Sequence, residues 1–391
     1  MSNSITNNVL SNHIGELVNE FVKEKLELIM REEMKNFFEI ENPDLNSSKN
    51  GYYQRSLDTR YGHIPDLSVP RDREGYFTTH VFDPYQRREK WLGETIINMY
   101  QHGFSTREVG KFVERIIGKE YSAGTISNIT NVVLDDIEDW KKRPLSKRYS
   151  VLYLDGTYFK LRRQDVDNEV IYLIIGINDE GIKEVLDFHV GGQESALGWK
   201  ELLSKLRNRG VEEVLLGVFD GLSSLDIAFK EVYPKADVQR CVVHKMRNTK
   251  SQVRSKDQSQ VFEALKKVYN ANDKADAVEQ FNTFKDEWKT IYPKVIKSWE
   301  EELDDLIRFY DYPTVIQRQI YTTNTIERAI KDIKKRLKPM NSLPSESAVE
   351  KIIYLLSVEY NEKWVQRKIS EFSSVQTELK SMFEERYKLV N

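Results

Sequence analysis

The chain has 391 residues, of which 39% are hydrophobic and 31% are charged. This composition excludes a disordered or membrane class and allows two or three domains. The net charge of −3 argues weakly against a nucleic-acid partner, because proteins that neutralise many phosphates usually have a basic excess. The single cysteine, Cys241, excludes an internal disulfide, and the chain starts without a secretion signal, so we expect a cytoplasmic protein with no membrane partner.

Apolar residues recur at close to helical spacing between residues 9 and 38, which predicts one or two amphipathic helices. Glycines and prolines punctuate residues 42–90, which predicts loops. Arginines and aromatic residues cluster there in NGYYQR and VPRDREGYF, a mixture suited to phosphate contact and base stacking; a small hydrophobic cluster under a loop is the alternative. The candidate DNA contacts are Tyr52, Tyr53, Arg55, Arg71 and Arg73. We predict that residues 1–88 form a helical and loop region for DNA binding or dimerisation.

Residues 89–145 are predicted to form three helices with short breaks. Ser105 and Glu108 make a capping box for the second helix, and Ser122 caps a third helix that continues to about residue 137. Polar residues on the first turns of that helix are typical of a recognition helix in the major groove; a helical bundle used only for packing is the alternative. The candidate base contacts are Thr125, Ser127, Asn128 and Asn131. The basic run that follows adds Lys141, Lys142 and Arg143 as candidate DNA contacts.

From Ser150 the hydrophobic period changes to that of a sheet. Three strands are predicted at about 150–163, 169–177 and 182–190, with turns at Asp167-Asn168 and Asp179-Gly181. After them, helices at about 195–209 and 223–232 alternate with two further strands at about 214–219 and 236–240. This βββαβαβ order is that of a ribonuclease H-like fold, in which the first and fourth strands are neighbours. We therefore predict a catalytic domain whose first part spans residues 146–242.

Two acids lie on these neighbouring strands. Asp155 lies within the β-rich run VLYLDGTYFKLRR and Asp220 ends the fourth strand, so the fold would bring the two carboxylates together. Strand interiors disfavour Asp, and a buried carboxylate needs a partner such as a metal ion. An Asp-Gly turn explains Asp155 equally well if the segment is considered alone.

Residues 243–320 are predicted to form an all-helical insertion, with breaks near Asn272, Pro293 and Pro313 and with Trp288 and Trp299 in its core. The helix TTNTIERAIKDIKKRLKPM then opens residues 321–391, which complete the catalytic domain and add C-terminal helices. Its polar stripe combines Glu327 with basic residues, and an ordinary surface pair between Glu327 and Lys331 is the alternative interpretation. The basic residues of this helix that we expect near DNA are Lys331, Lys334 and Lys335.

Five motifs in order, LDGTYFK, the pattern around residues 176–186, FDG, QRCVVHKMRN and TTNTIERAIKDIKKR, resemble those of bacterial insertion-sequence transposases of the Mutator superfamily. The resemblance covers about residues 45–345 and implies a DDE enzyme whose catalytic and metal-binding residues are Asp155, Asp220 and Glu327. The predicted fold is thus multidomain α/β plus all-α: a ribonuclease H-like mixed sheet, interrupted by a helical insertion and preceded by helical DNA-binding modules.

The resemblance also implies binding of inverted-repeat ends, strand cleavage and strand transfer on double-stranded DNA, a homodimer and, in many members, a circular intermediate. Three carboxylates suit two Mg²⁺ ions, for which Mn²⁺ can substitute, and we expect no small-molecule cofactor. A domesticated DNA-binding regulator and a structure-specific nuclease without strand transfer are the alternative functions.

Cys241 and His244 follow the last strand, near the expected active site, and Arg247 and Asn324 are expected beside it. The Cys-x-x-His spacing is half of a zinc site, but no second pair stands out. A buried histidine that holds the insertion against the sheet is a second interpretation. We favour a third, in which His244 contacts phosphate or flanking DNA beside the metals, as the resemblance suggests.

Overall fold

A computed structural model of the chain describes residues 2–82, 90–162, 166–221, 223–338 and 345–388. Its chain divides into two units, residues 1–132 and 133–391. The predicted boundary between residues 88 and 89 lies outside the described residues, as do the predicted end of the first sheet strand at residue 163 and the last two residues of TTNTIERAIKDIKKRLKPM. No helix in the described ranges is both long enough and apolar enough to cross a membrane.

The first unit begins with one long helix, α1 (Ser2–Asn36), which runs into a π-helical turn (Phe37–Glu41). A β-hairpin follows, formed by β1 (Lys49–Thr59) and β2 (Gly62–Asp72) in antiparallel pairing. The prediction of loops is therefore wrong for residues 49–72. The prolines of this segment indicate loops from the sequence alone. They are compatible with strands because both strands of a two-stranded hairpin are edge strands, where a missing N–H donor is tolerated.

Three helices complete this unit: α2 (Lys90–Gln101), α3 (Thr106–Ile117) and α4 (Ala123–Thr130). The predicted capping box is confirmed, since Ser105 and Glu108 each accept a hydrogen bond from the other's backbone N–H. The predicted cap of the third helix is also confirmed, because Thr125 N–H donates to Ser122 Oγ at 3.1 Å.

The third helix is shorter than predicted. It ends at Thr130, and a separate helix, α5 (Val133–Lys142), begins the second unit and packs against α14 (Glu346–Val365). The apolar spacing of 3.6 residues continues across the break through Ile126, Ile129, Val133 and Ile137, so periodicity alone could not reveal it.

The second unit is built on a mixed sheet of five strands. They are β3 (Arg148–Arg162), β4 (Val166–Asn178), β5 (Lys183–Val190), β6 (Glu213–Phe219) and β7 (Asp237–Arg240). Their order across the sheet is β5-β4-β3-β6-β7, with β3, β6 and β7 parallel and β4 antiparallel to both of its neighbours. The prediction that the first and fourth strands are adjacent is confirmed. The predicted turn at Asp167-Asn168 is wrong, because both residues pair with β3.

Helices cover this sheet. The helices α6 (Ala196–Asn208) and α7 (Ser223–Val232) pack on each other and share an apolar core with the strands, which includes Trp199 and Phe229. The helices α13 (Asn324–Leu337), α14 and α15 (Phe372–Tyr387) pack against β3, β5 and β6 respectively. The sheet is thus buried by helices, as the near-continuous apolar runs of its strands require.

Residues between β7 and α13 are helical, as predicted. The helices are α8 (Val242–Gln252), α9 (Gln258–Tyr269), α10 (Lys274–Trp288), α11 (Pro293–Leu306) and α12 (Thr314–Ile320). The predicted breaks near Asn272, Pro293 and Pro313 are confirmed, and the Trp288 and Trp299 side chains are buried as predicted.

Candidate active site

The two predicted aspartates lie at the same end of neighbouring parallel strands. In the β3–β6 pair Tyr153 lies opposite Val218, and Asp155 and Asp220 each follow two residues later. Alternate residues of a strand share a face, so Asp155 lies on the face of Tyr153, whose hydroxyl donates to the carbonyl of Gln319 at 2.8 Å. Helix α13 packs against β3, so Asp155 is brought towards Glu327 in the first turn of that helix.

The charge balance at Asp155 is unfavourable in the absence of a cation. Burial and, next, the neighbouring carboxylate of Asp220 raise the pKa of this carboxyl group to about 7, against an opposing effect of His244. A carboxylate pair that raises a pKa in this way holds negative charge without enough compensation. Such a pair binds a divalent cation favourably.

A fourth acid, Glu194, belongs to the same cluster and was not predicted. A Cβ atom added to Gly156 would lie only 2.6 Å from Glu194 Oε1, which shows how closely this carboxylate approaches β3. Burial raises the pKa of Glu194 and so does Asp220, while a hydrogen bond from Trp199 Nε1 at 3.1 Å opposes the shift. The only sequence signal was an acid after the edge strand and directly before the helix cap Ser195.

Backbone hydrogen bonds join the ends of the strands to the helices that hold the remaining side chains. Cys241 N–H donates to the carbonyl of Phe219 at 3.0 Å, which places Cys241 beside Asp220. Val242 N–H donates to the carbonyl of Tyr321 at 3.3 Å, which joins the start of α8 to the residues that precede α13. The beginnings of α8 and α13 therefore meet at the carboxyl end of the sheet.

Glu327 is held by residues of both helices. Thr323 Oγ1 donates to Glu327 Oε1 at 2.8 Å, His244 Nε2 lies 3.8 Å from that oxygen, and Arg247 Nη2 lies 3.9 Å from Oε2. None of these three partners is Lys331. Among the described residues, Cys241, His244 and Glu327 form a group whose ligand atoms all lie within 4.8 Å of one another, and the three predicted carboxylates form no such group.

The donor set fits a hard divalent cation. Asp155 and Asp220, with Glu194 beside them, offer carboxylate oxygens, which Mg²⁺ and Mn²⁺ prefer. The pKa values of Asp155 and Glu194 are raised because their ionised forms lack a compensating positive charge, which a divalent cation would supply. His244 interacts electrostatically with all three predicted carboxylates, those of Asp155, Asp220 and Glu327.

The predicted DNA contacts of the first unit lie on its surface. Tyr52, Tyr53, Arg71 and Arg73 are exposed on or beside the hairpin, whereas the Arg55 guanidinium is 4.0 Å from the centre of the Phe82 ring and is half-buried. On α4 the side chains of Thr125 and Asn128 are exposed and that of Ser127 is partly buried, and Asn131, the residue that follows the helix, is exposed as well.

The basic residues of the second unit differ in exposure. Lys331, Lys334 and Lys335 are exposed on α13, as are Asn324 at its start and Arg247 on α8. Two residues of the basic run at the end of α5 instead bond to other parts of the second unit. Lys141 donates to Glu350 at 2.6 Å, and Arg143 Nη2 donates to the carbonyl of Val185 at 2.7 Å. Burial lowers the pKa of Arg143 to about 10. Lys142 is exposed and pairs only loosely with Glu138, at 3.5 Å.

The family model described as "Transposase, Mutator family" matches residues 2–367. The chain belongs to this family. It is 39% identical over 338 residues to the transposase for insertion sequence element IS905 of Lactococcus lactis, covering 86% of each chain. It is 30% identical over 323 residues to the transposase for IS256 in transposon Tn4001 of Staphylococcus aureus, covering 82% of each chain.

Among solved structures, the chain is similar to the Drosophila P element transposase strand transfer complex, with 13% identity, 80% of this chain and 87% of the other covered, and a TM-score of 0.31. A similarity this low supports no structural argument, so the assignment depends on the family model and on the sequence relatives.

Proposed function

We propose that this protein is a DDE transposase that binds the inverted-repeat ends of an insertion sequence and catalyses metal-dependent cleavage and transfer of DNA strands. The observation that supports this best is the position of Asp155 and Asp220 at the same end of the paired strands β3 and β6, with Glu327 on the helix that packs against β3. Membership of the Mutator family supports the same function. The strand order is consistent with a ribonuclease H-like catalytic domain.

Asp155, Asp220 and Glu327 would hold Mg²⁺, with Mn²⁺ as a substitute. Two such ions, when bound, would activate the attacking oxygen and stabilise the leaving oxygen of an in-line displacement at phosphorus. The residues of the chain do the rest: Thr323 orients the Glu327 carboxylate through its hydrogen bond. The exposed Arg247 and the lysines of α13 add positive charge for the DNA backbone next to the carboxylates.

The first unit would supply the recognition of DNA ends. Helix α4 presents exposed Thr125 and Asn128, side chains that read base edges in the major groove. The hairpin presents exposed arginines and tyrosines suited to phosphates and to stacking. In this proposal residues 89–145 are the helix-turn-helix domain, residues 146–242 and 321–391 form the catalytic domain around the helical insertion of residues 243–320, and the active form is a homodimer.

Strand cleavage and joining on labelled element ends test the proposal. The full chain is incubated with inverted-repeat DNA and Mg²⁺, and products and binding are measured in parallel. Asp155→Asn, Asp220→Asn and Glu327→Gln should each reduce cleavage more than about a hundredfold while DNA binding survives. The double variant of Asp155→Asn with Glu327→Gln should cleave hardly less than either of its single variants, because such residues act as a unit. Asp304→Asn and Glu378→Gln change exposed acids in the same unit and serve as matched controls.

Each of the other outcomes supports a different function for this chain. Binding without cleavage by the unsubstituted chain would support a DNA-binding regulator. Cleavage without joining would support a structure-specific nuclease. Substantial cleavage by Glu327→Gln would remove this residue from the active site.

A further inference from the structure

Three side chains of different chemistry converge beside the carboxylate cluster. Cys241 caps the start of α8, His244 lies one turn later, and Glu327 lies in the first turn of α13. One ligand atom of each lies within 4.8 Å of the other two. Thr323 Oγ1 is within hydrogen-bond distance of both neighbours, at 3.3 Å from Cys241 Sγ and 2.8 Å from Glu327 Oε1. The three donors therefore face one small volume.

A thiolate, an imidazole and a carboxylate are a donor set for Zn²⁺ and not for Mg²⁺, which takes oxygen ligands almost exclusively. Zinc bonds of about 2.0 to 2.3 Å in a tetrahedral site place ligand atoms roughly 3.3 to 3.8 Å apart. The ligand atoms of the three residues all lie within 4.8 Å of one another. The contraction that a zinc ion would require, about 1.5 Å at most, is within reach of side-chain torsions because His244 and Glu327 are only partly buried.

One feature of His244 supports a cation beside it. His244 Nδ1 is buried and finds no hydrogen-bond partner among the described residues, a state that costs about 1 to 3 kcal/mol. A cation bound at Nδ1 would satisfy this atom.

We propose that Cys241, His244 and Glu327 form a Zn²⁺-binding site that withdraws Glu327 from the Mg²⁺ site and thereby inhibits strand cleavage. The Glu327 carboxylate cannot bind both metals at once. Zn²⁺ bound by Cys241 and His244 would hold this carboxylate on the side of α8, whereas the Mg²⁺ site needs it towards β3. The inhibitory part rests on the proposed function, whereas the binding of Zn²⁺ does not.

Binding is tested with Co²⁺ as a spectroscopic probe. Titration of the full chain should produce a thiolate-to-cobalt charge-transfer absorption, with one Co²⁺ per chain, and Zn²⁺ should abolish it. The band must come from Cys241, because it is the only cysteine in the sequence. Cys241→Ser should remove the band, and His244→Gln and Glu327→Gln should weaken Co²⁺ binding by about tenfold or more. No band in the unsubstituted chain, or an unchanged band in His244→Gln, would overturn the site.

The chain offers a matched control. His80 and Glu33 also form a histidine–carboxylate pair with a distance of 3.8 Å, but no cysteine accompanies them. His80→Gln should leave the cobalt absorption unchanged. If Cys241→Ser fails to fold, because the residue is buried, the partly exposed His244 and Glu327 variants still test the site by their Co²⁺ affinity.

Inhibition is tested separately, by the ratio of cleavage rates with and without Zn²⁺ in excess Mg²⁺ for each variant. We expect a ratio well below one for the unsubstituted chain and a ratio near one for Cys241→Ser. Cobalt binding with an unchanged ratio in the unsubstituted chain would overturn the inhibitory part alone. No cleavage under any condition would overturn the proposed function and leave the binding result standing.

Discussion

Gly156 lies directly against Glu194: a Cβ atom on Gly156 would be 2.6 Å from Glu194 Oε1 and 2.9 Å from its Cδ. Gly156→Ala should therefore displace the Glu194 carboxylate and break its hydrogen bond with Trp199 Nε1. We expect cleavage to fall by about a hundredfold, the effect of a displacement near 1 Å in an active site, and the free energy of unfolding to fall by about 1 to 3 kcal/mol.

A double-mutant cycle decides whether this contact is the cause. Glu194→Ala removes the obstacle, so the double variant with Gly156→Ala should be more stable than the sum of the two single effects predicts. Additive losses of stability, measured by chemical denaturation, would mean that Gly156 is needed for another reason.

Protein stripped of divalent cations should become less stable as the pH rises. The folded chain binds the Asp155 proton more tightly than the unfolded chain does, because burial and Asp220 raise the folded pKa to about 7 from about 3.9. The free energy of unfolding therefore falls between about pH 4 and pH 7. Asp155→Asn removes this contribution and should be more stable than the unsubstituted chain at about pH 8, by roughly 1 to 4 kcal/mol.

Denaturation in a chelator at several pH values measures this effect. The exposed Asp304→Asn should follow the pH dependence of the unsubstituted chain. Saturating Mg²⁺ should restore stability to the unsubstituted chain above pH 7 and have little effect on Asp155→Asn. Parallel curves for Asp155→Asn and the unsubstituted chain would mean that Asp155 is not the destabilising group.

The exposed face of α4 should read sequence. Replacing Asn128 and Asn131 together with Ala should weaken binding to inverted-repeat ends by about 1 to 3 kcal/mol per lost base contact, with a smaller effect on random duplex. Asn98→Ala, on the exposed face of α2, is the matched control and should change neither affinity. Equal losses on both duplexes in a gel-shift or anisotropy titration would exclude direct base readout by α4.

Arg143 and Lys142 are neighbours with different expected roles. Arg143 donates to the carbonyls of Trp140, Val185 and Leu186, so Arg143→Ala should lower the free energy of unfolding by about 2 to 4 kcal/mol. Exposed Lys142 should contribute below about 1 kcal/mol to stability. Lys142→Ala should instead weaken DNA binding and reduce the salt dependence of log K by about one phosphate contact.

Thermal or chemical denaturation and salt-dependent binding measure the two effects on the same samples. A stable Arg143→Ala variant with weak DNA binding would return Arg143 to the DNA surface, where the sequence prediction had put it.

The sequence by itself determined most of the strands and helices of the second unit and placed Asp155 and Asp220 at the same end of neighbouring strands. Hydrophobic periods of two and 3.6 residues mark strands and helices wherever one face is buried, so the order of the elements could be predicted. The adjacency of β3 and β6 followed from the ribonuclease H-like fold that has this order. Cap residues such as Ser105 and Ser122 act on N–H groups within three residues, so local sequence was enough for them as well.

Only the tertiary structure decided which side chains meet across distant elements. Glu194 joins the carboxylates because Gly156 leaves room for it, and Glu327 meets Cys241 and His244 because backbone hydrogen bonds bring the starts of α8 and α13 together. Arg143 lies in a run that looks solvated, yet it hydrogen-bonds to carbonyls of β5 about 40 residues away in sequence. Periodicity describes a single element and contains no distances between elements, so such encounters follow only from the packing of the folded chain.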